Sequence, residues 1–195
     1  MMKRKFLLSV TALALCAALL AGCGGSSSST ASSAQSTAPA SSADAGSGAR
    51  TAENGTVDLD AIVSQLLETN PISNQFEIPP KNIEYDFIEY DFGLAAEDVT
   101  AYKGVRSNDN GDAGLVLVIQ PAAGKSEAIC EQLQTYKQDQ VAFYGNYAEF
   151  GQAQSNVKNA VISGRDDLVV MVIASNESTG DISGAVDSVM DQYAQ

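Results

Sequence analysis

The sequence predicts an α+β fold: an antiparallel sheet of about four strands with helices packed on it, in the order α-α-β-β-α-β-β-α. Three observations carry this expectation. Residues 115–119 and 168–174 are apolar at every position, the pattern of strands buried on both faces. Each follows a short turn signal, Asn110-Gly111 and residues 164–167, and short turns join antiparallel neighbours. Segments with apolar residues at helical spacing follow both strand pairs.

The elements are justified in chain order. Leu59, Ile62, Val63, Leu66 and Leu67 recur at helical spacing after Asp58, a suitable N-cap, and Asn70-Pro71 stops the run, so a helix is expected over 58–69. Residues 81–92 admit two readings. Glu84-Tyr85-Asp86-Phe87 is echoed by Glu89-Tyr90-Asp91-Phe92, and as strands the copies are out of phase by one residue. As a helix, Ile83, Phe87, Tyr90 and Leu94 share a face, with Gly93 as the C-terminal cap. The helix is the preferred reading.

A strand is expected over 99–107, then a hairpin turn of type I′ at Asn110-Gly111, then the apolar strand from Gly114. A helix follows over 126–144, with Ile129, Leu133, Tyr136 and Tyr144 on one face. A strand is expected over 156–163, a turn over 164–167 and the second apolar strand over 168–174. Ser178-x-x-Asp181 has the form of a capping box, ahead of a last helix with Ile182, Val186, Val189 and Tyr193 on one face. The apolar strands belong at the centre of the sheet. Their second cover is expected from the N-terminal helices or from another protein.

The residues before this domain have another character. Lys3, Arg4 and Lys5 precede an uncharged apolar run over 6–20, about right for a signal sequence and short of the roughly 20 residues that span a bilayer. The run ends in Leu20-Ala21-Gly22-Cys23, which resembles the lipobox of bacterial lipoproteins. The resemblance implies cleavage before Cys23 and lipid on its thiol, with residues 1–22 as signal peptide. Multiple acyl chains make a stable membrane anchor. Residues 23–55 then read as a lipidated Cys and a Ser/Ala/Gly-rich flexible tether, without bulky apolar residues to offset chain entropy. Its typical reach is about 30 Å. Residues 56–195 form the single globular domain.

Charge and composition exclude much chemistry. The 195 residues carry a net charge of −13 and no His or Trp. Loss of residues 1–22 removes three basic residues and no acid, which takes the net charge to −16. The domain itself holds 22 acidic and 7 basic residues. Such a surface repels nucleic acid and attracts cations or basic proteins. Without His the commonest general base is missing. Of the three cysteines, Cys16 leaves with the signal and Cys23 takes lipid, so Cys130 has no disulfide partner. No Cys/His zinc site can form, and no cofactor is implied.

The motifs that might carry chemistry are weak. Gly124-Lys125-Ser126 sits between a strand and a helix like the end of a P-loop, but Ile119 stands where its first Gly belongs. Ser126 is better read as a helix cap. The oxygen-rich run 108–112 would place Ala113 and Ile119 at the positions where a calcium loop needs Gly and Glu; an Asx-rich hairpin tip explains it, with weak calcium binding as the other option. Acid pairs such as Glu97-Asp98 and Asp166-Asp167 lie at element ends, where acids cap and solvate. Cys130 borders an apolar stripe without an activating base, as a packed, inert thiol would. The tyrosines Tyr136, Tyr144 and Tyr147, with Phe143 and Phe150, are candidates for an interaction surface. The same rings are better read as closing the sheet edge beneath the helix-to-strand connection.

Asp91-Phe92-Gly93-Leu94 with Glu97-Asp98-Val99, the strand 115–119 before a long helix, Tyr144 and Tyr147, Asn159-Ala160-Val161 and the Gly164 turn together resemble an uncharacterised lipoprotein family of Gram-positive bacteria, the domain of unknown function 4358. The likeness spans about 57–175 and implies no activity. The expected function is therefore a non-catalytic binding or interaction module, lipid-anchored on the extracytoplasmic face of the cell membrane, and not an enzyme. The alternative is a carboxylate-dependent hydrolase of cell-envelope polymers, which needs two acids about 5–10 Å apart in a cleft.

Overall fold

Asp58 accepts a hydrogen bond from the Ala61 N–H and opens helix α1 (Leu59–Thr69), as its sequence predicts. The computed structural model describes residues 57–80 and 86–195. The expected signal peptide, Cys23 and tether lie outside the described residues, as do residues 81–85 of the ambiguous segment. No helix among the described residues is long and apolar enough to cross a membrane.

After α1 come strand β1 (Gln75–Glu77), helix α2 (Phe87–Phe92), strands β2 (Val99–Ser107) and β3 (Leu115–Pro121), helices α3 (Ser126–Gly145) and α4 (Gly151–Lys158), strands β4 (Val161–Arg165) and β5 (Leu168–Ile173), and helix α5 (Ile182–Tyr193). The five strands form one antiparallel sheet in the order β1-β2-β3-β5-β4. The fold is α+β, and the predicted order holds with two additions, β1 and α4.

The two apolar strands are central and covered on both faces. On one face Leu117, Ile119, Val169 and Met171 pack with Ile88, Phe92, Ile129, Leu133 and Val157 from α2, α3 and α4. On the other, Val116, Val118, Val170 and Val172 pack with Ile62, Leu66, Val186 and Val189 from α1 and α5. Side chains alternate across a strand, so a strand sandwiched between helix layers must be apolar throughout. Each fully buried aliphatic side chain contributes about 1.5–3 kcal/mol. The second cover is α1 and α5, from the two ends of the described chain.

Several local expectations are corrected. The sheet has five strands, because the three-residue β1 pairs with the edge of β2. In α2 the buried side chains are Ile88 and Phe92, while Tyr90 is 66% exposed. The helix phase is set by buried Asp86, which accepts from the Ile88 N–H and the Tyr102 hydroxyl. Gly93 does cap it, with φ +67° and its N–H on the Glu89 carbonyl. The expected strand over 156–163 is helix α4 as far as Lys158; Ala153, Asn156 and Val157 are its buried stripe. The β2–β3 connection is no two-residue hairpin but a seven-residue loop, 108–114, closed by the Ser107 N–H on the Gly114 carbonyl. Gly111 takes the positive φ, +80°, in a turn closed by Asp112 N–H to Asp109 O. Asp181, not Ser178, caps α5 through the Gly184 N–H, whereas the Ser178 hydroxyl donates to the Thr69 carbonyl. Lys125 holds the N-cap position of α3, so Ser126 is its first residue rather than its cap.

Candidate binding site

The C-terminal half of α3 sets Tyr136, Gln140 and Tyr144 at i, i+4 and i+8, one stripe of the helix. The stripe forms a wall of a cleft of about 390 Å³, with the β2–β3 loop opposite and Ala113, Leu115 and Ile173 also lining it. Arg106, near the end of β2, lies in the same cleft. Its guanidinium stands 5.1 Å from the centre of the Phe76 ring and 6.0 Å from that of Phe87, within the range of cation–π attraction. Asp91 approaches it at 3.5 Å.

Two tyrosines are fixed by neighbours. Tyr136 packs on Phe92 with ring centres 4.7 Å apart. Burial pushes its hydroxyl up to about 12; the nearby Arg106 charge opposes that rise, while Tyr144 and Asp91 add to it. Tyr144 donates to the Asp112 carbonyl at 3.3 Å. Its pKa too is raised, first by burial and then by Asp112. Tyr147 does not line the cleft. It lies in the α3–α4 connection, 46% exposed, beside Phe143, 52% exposed. Their rings meet edge-on at 6.0 Å, and Phe150 lies 5.4 Å from Tyr147 and 5.9 Å from Tyr144. The aromatic group thus divides. Tyr136 and Tyr144 close the structure beneath α3, and Phe143 with Tyr147 forms an outer patch.

The oxygen-rich loop is knitted into the fold. Asp112 is buried, and its Oδ1 accepts from the Gly114 and Asn176 N–H groups at 3.1 and 3.0 Å. Asn74 donates to the Asp109 carboxylate at 2.7 Å. Among the described residues no three of His, Cys, Asp or Glu are grouped to hold a metal ion. Lys125 pairs with Asp98 at 2.8 Å, so the P-loop-like lysine is committed to an ion pair. Asp167 accepts from the Gln195 N–H. Cys130 is a free, half-buried thiol, its pKa raised by burial and then by Glu127. Both effects work against a nucleophilic thiolate.

Arg106 and Gln140 belong to the cleft but were not singled out from the sequence. Gln140 is legible in retrospect, midway between the two tyrosines on one stripe. Arg106 is a lone cation in a strand, and only the fold brings α2 and α3 to it.

A family model described as Domain of unknown function (DUF4358) matches residues 73–174, from just before β1 to just after β5. The match includes the whole sheet and every residue of the cleft. It leaves out α1 and α5, which cover the far face. No curated protein matches the chain, and no solved structure matches it. Matched over more than half its length by that model, the chain belongs to the DUF4358 family of domains of unknown function.

Proposed function

We propose that this protein is a lipid-anchored, non-catalytic binding module on the extracytoplasmic face of the cell membrane, with a basic partner in the envelope. The observation that carries the reading is the outer aromatic patch. Phe143 and Tyr147 are large, exposed and ring-packed on one another, the residue type enriched where proteins meet. Two exposed acids stand near them in the chain: Asp139 lies one helical turn before Phe143, and Glu149 is two residues after Tyr147. An exposed aromatic pair on a strongly acidic domain suits a partner that carries Lys or Arg beside an apolar side chain. The sequence of residues 1–55 supplies the anchor and the tether. The hydrolase alternative gains little from the cleft, whose lining includes a single acid, Asp109.

The test has two parts. Mass spectrometry of the membrane fraction is expected to find a mature chain that begins at acylated Cys23, and Cys23→Ser is expected to release the protein from the membrane. The doubly substituted Phe143→Ser, Tyr147→Ser chain is expected to stay folded by circular dichroism and to lose retention on envelope protein. An unmodified Cys23, or retention unchanged by the double substitution, would refute the corresponding half of the reading.

A further inference from the structure

The cleft beside Arg106 has features that the aromatic patch does not share. Its lining includes one cation, Arg106, and one anion, Asp109, together with neutral polar groups and the buried Ala113, Leu115 and Ile173. Arg106 is held by stacking on Phe76 and Phe87. Its contact with Asp91, at 3.5 Å, lies at the outer limit of hydrogen bonding. A guanidinium has five N–H donors, and this side chain is 44% exposed, so donors remain for a ligand. Asp109 gives one carboxylate oxygen to Asn74, and its other oxygen is left to accept. Among the described residues, neither the Tyr136 hydroxyl nor the Gln140 amide has a hydrogen-bond partner.

The charges decide the class of ligand. A simple anion would meet Arg106 but also Asp109 and the field of a domain with 22 acids. A simple cation would meet Asp109 but also Arg106. A molecule with both charges a few bonds apart satisfies both ends. The volume is near the lower end of the roughly 300–1,000 Å³ of ligand pockets, which suits something small. We propose that this cleft is a binding site for a small zwitterion, a free amino acid or the unblocked form of a short peptide. Its carboxylate meets Arg106, with the Tyr136 hydroxyl and Gln140 amide as further donors, and its ammonium meets Asp109. Ala113, Leu115 and Ile173 are buried behind the polar lining and leave little open apolar surface, which favours a ligand with a small side chain.

Isothermal titration of the purified full chain with L-alanyl-L-alanine tests this. The free dipeptide is expected to bind, and its N-acetyl and C-amide forms to bind at least about tenfold more weakly, since each loses one charge-assisted contact. Arg106→Gln is expected to abolish binding. Because Arg106 also packs on two rings, Gln140→Ala, at a side chain without a partner, is the second variant and is expected to weaken binding several-fold with circular dichroism unchanged. Equal binding of the free and blocked dipeptides would overturn the proposal, as would absence of heat at millimolar dipeptide or wild-type affinity in Gln140→Ala. These results leave the aromatic patch untouched. A chain that loses envelope retention in Phe143→Ser, Tyr147→Ser and yet binds no dipeptide keeps the interaction-module reading and loses only the cleft proposal.

Discussion

Asp112 joins two loops through one oxygen, which accepts from the backbone of Gly114 and of Asn176. Removing a buried acceptor strands its donors. Asp112→Ala is therefore expected to cost about 2–4 kcal/mol in urea unfolding, and Asp112→Asn, which keeps an acceptor, less. Tyr102 and Tyr136 set a second expectation. Both are raised to about 12, in each case chiefly by burial, against 10.0 for an unperturbed tyrosine. The folded state thus holds these protons after the unfolded chain has lost them. The stability they contribute is whole below pH 10 and falls as pH climbs through the window to about 12. Urea midpoints across that window should fall, and Tyr136→Phe should flatten the decline; tyrosinate absorbance follows the ionisation itself. The site was half legible at this scale. The tyrosine stripe follows from helical spacing alone, whereas Arg106 joins it only because β2 runs beneath α2 and α3, a contact between residues far apart in sequence.

At the scale of elements, the strong periodic segments were legible and the short ones were not. Helices α1, α3 and α5 and strands β3 and β5 carry runs long enough for period 3.6 or full apolarity to stand out, and β2 is placed by the turn that joins it to β3. Strand β1 has three residues, with only Phe76 half-buried, and exists because the edge of β2 offers it hydrogen-bonding groups. Helix α4 buries Ala153, Asn156 and Val157, a stripe too polar to announce itself, and α3 supplies the surface that makes it a helix. Helix α2 is short, so its ends decide its phase. Gly93 sits in the left-handed region, where a side chain costs about 1–2 kcal/mol, and an added Cβ would also meet the Gln132 amide at 2.5 Å. Gly93→Ala should therefore destabilise by at least about 1–2 kcal/mol in thermal or urea unfolding. Gly124, also at positive φ but in open space, is the comparison; its Ala variant should lose only the backbone part.

For the whole molecule, the two faces of the sheet divide the labour. Helices α1 and α5, which cover one face, lie outside the family match and complete the core there. The face under α2, α3 and α4 carries both the cleft and the aromatic patch, all inside the match. The acidity belongs to the domain, while three of the four basic residues before it lie in the segment read as a signal peptide. A tether of about 30 Å would hold that acidic domain within reach of other envelope proteins while leaving α3 free to turn toward them. The most direct measurement places a photo-reactive phenylalanine analogue at position 147 of the full chain in intact cells, with position 68, an exposed site on α1, as control. A discrete cross-linked envelope partner at 147, absent at 68 and absent at 147 once Cys23→Ser has released the chain, is the expected result. Equal labelling at both positions, or no adduct at 147 while the chain remains on the membrane, would show that the aromatic end of α3 is not where this protein meets a partner.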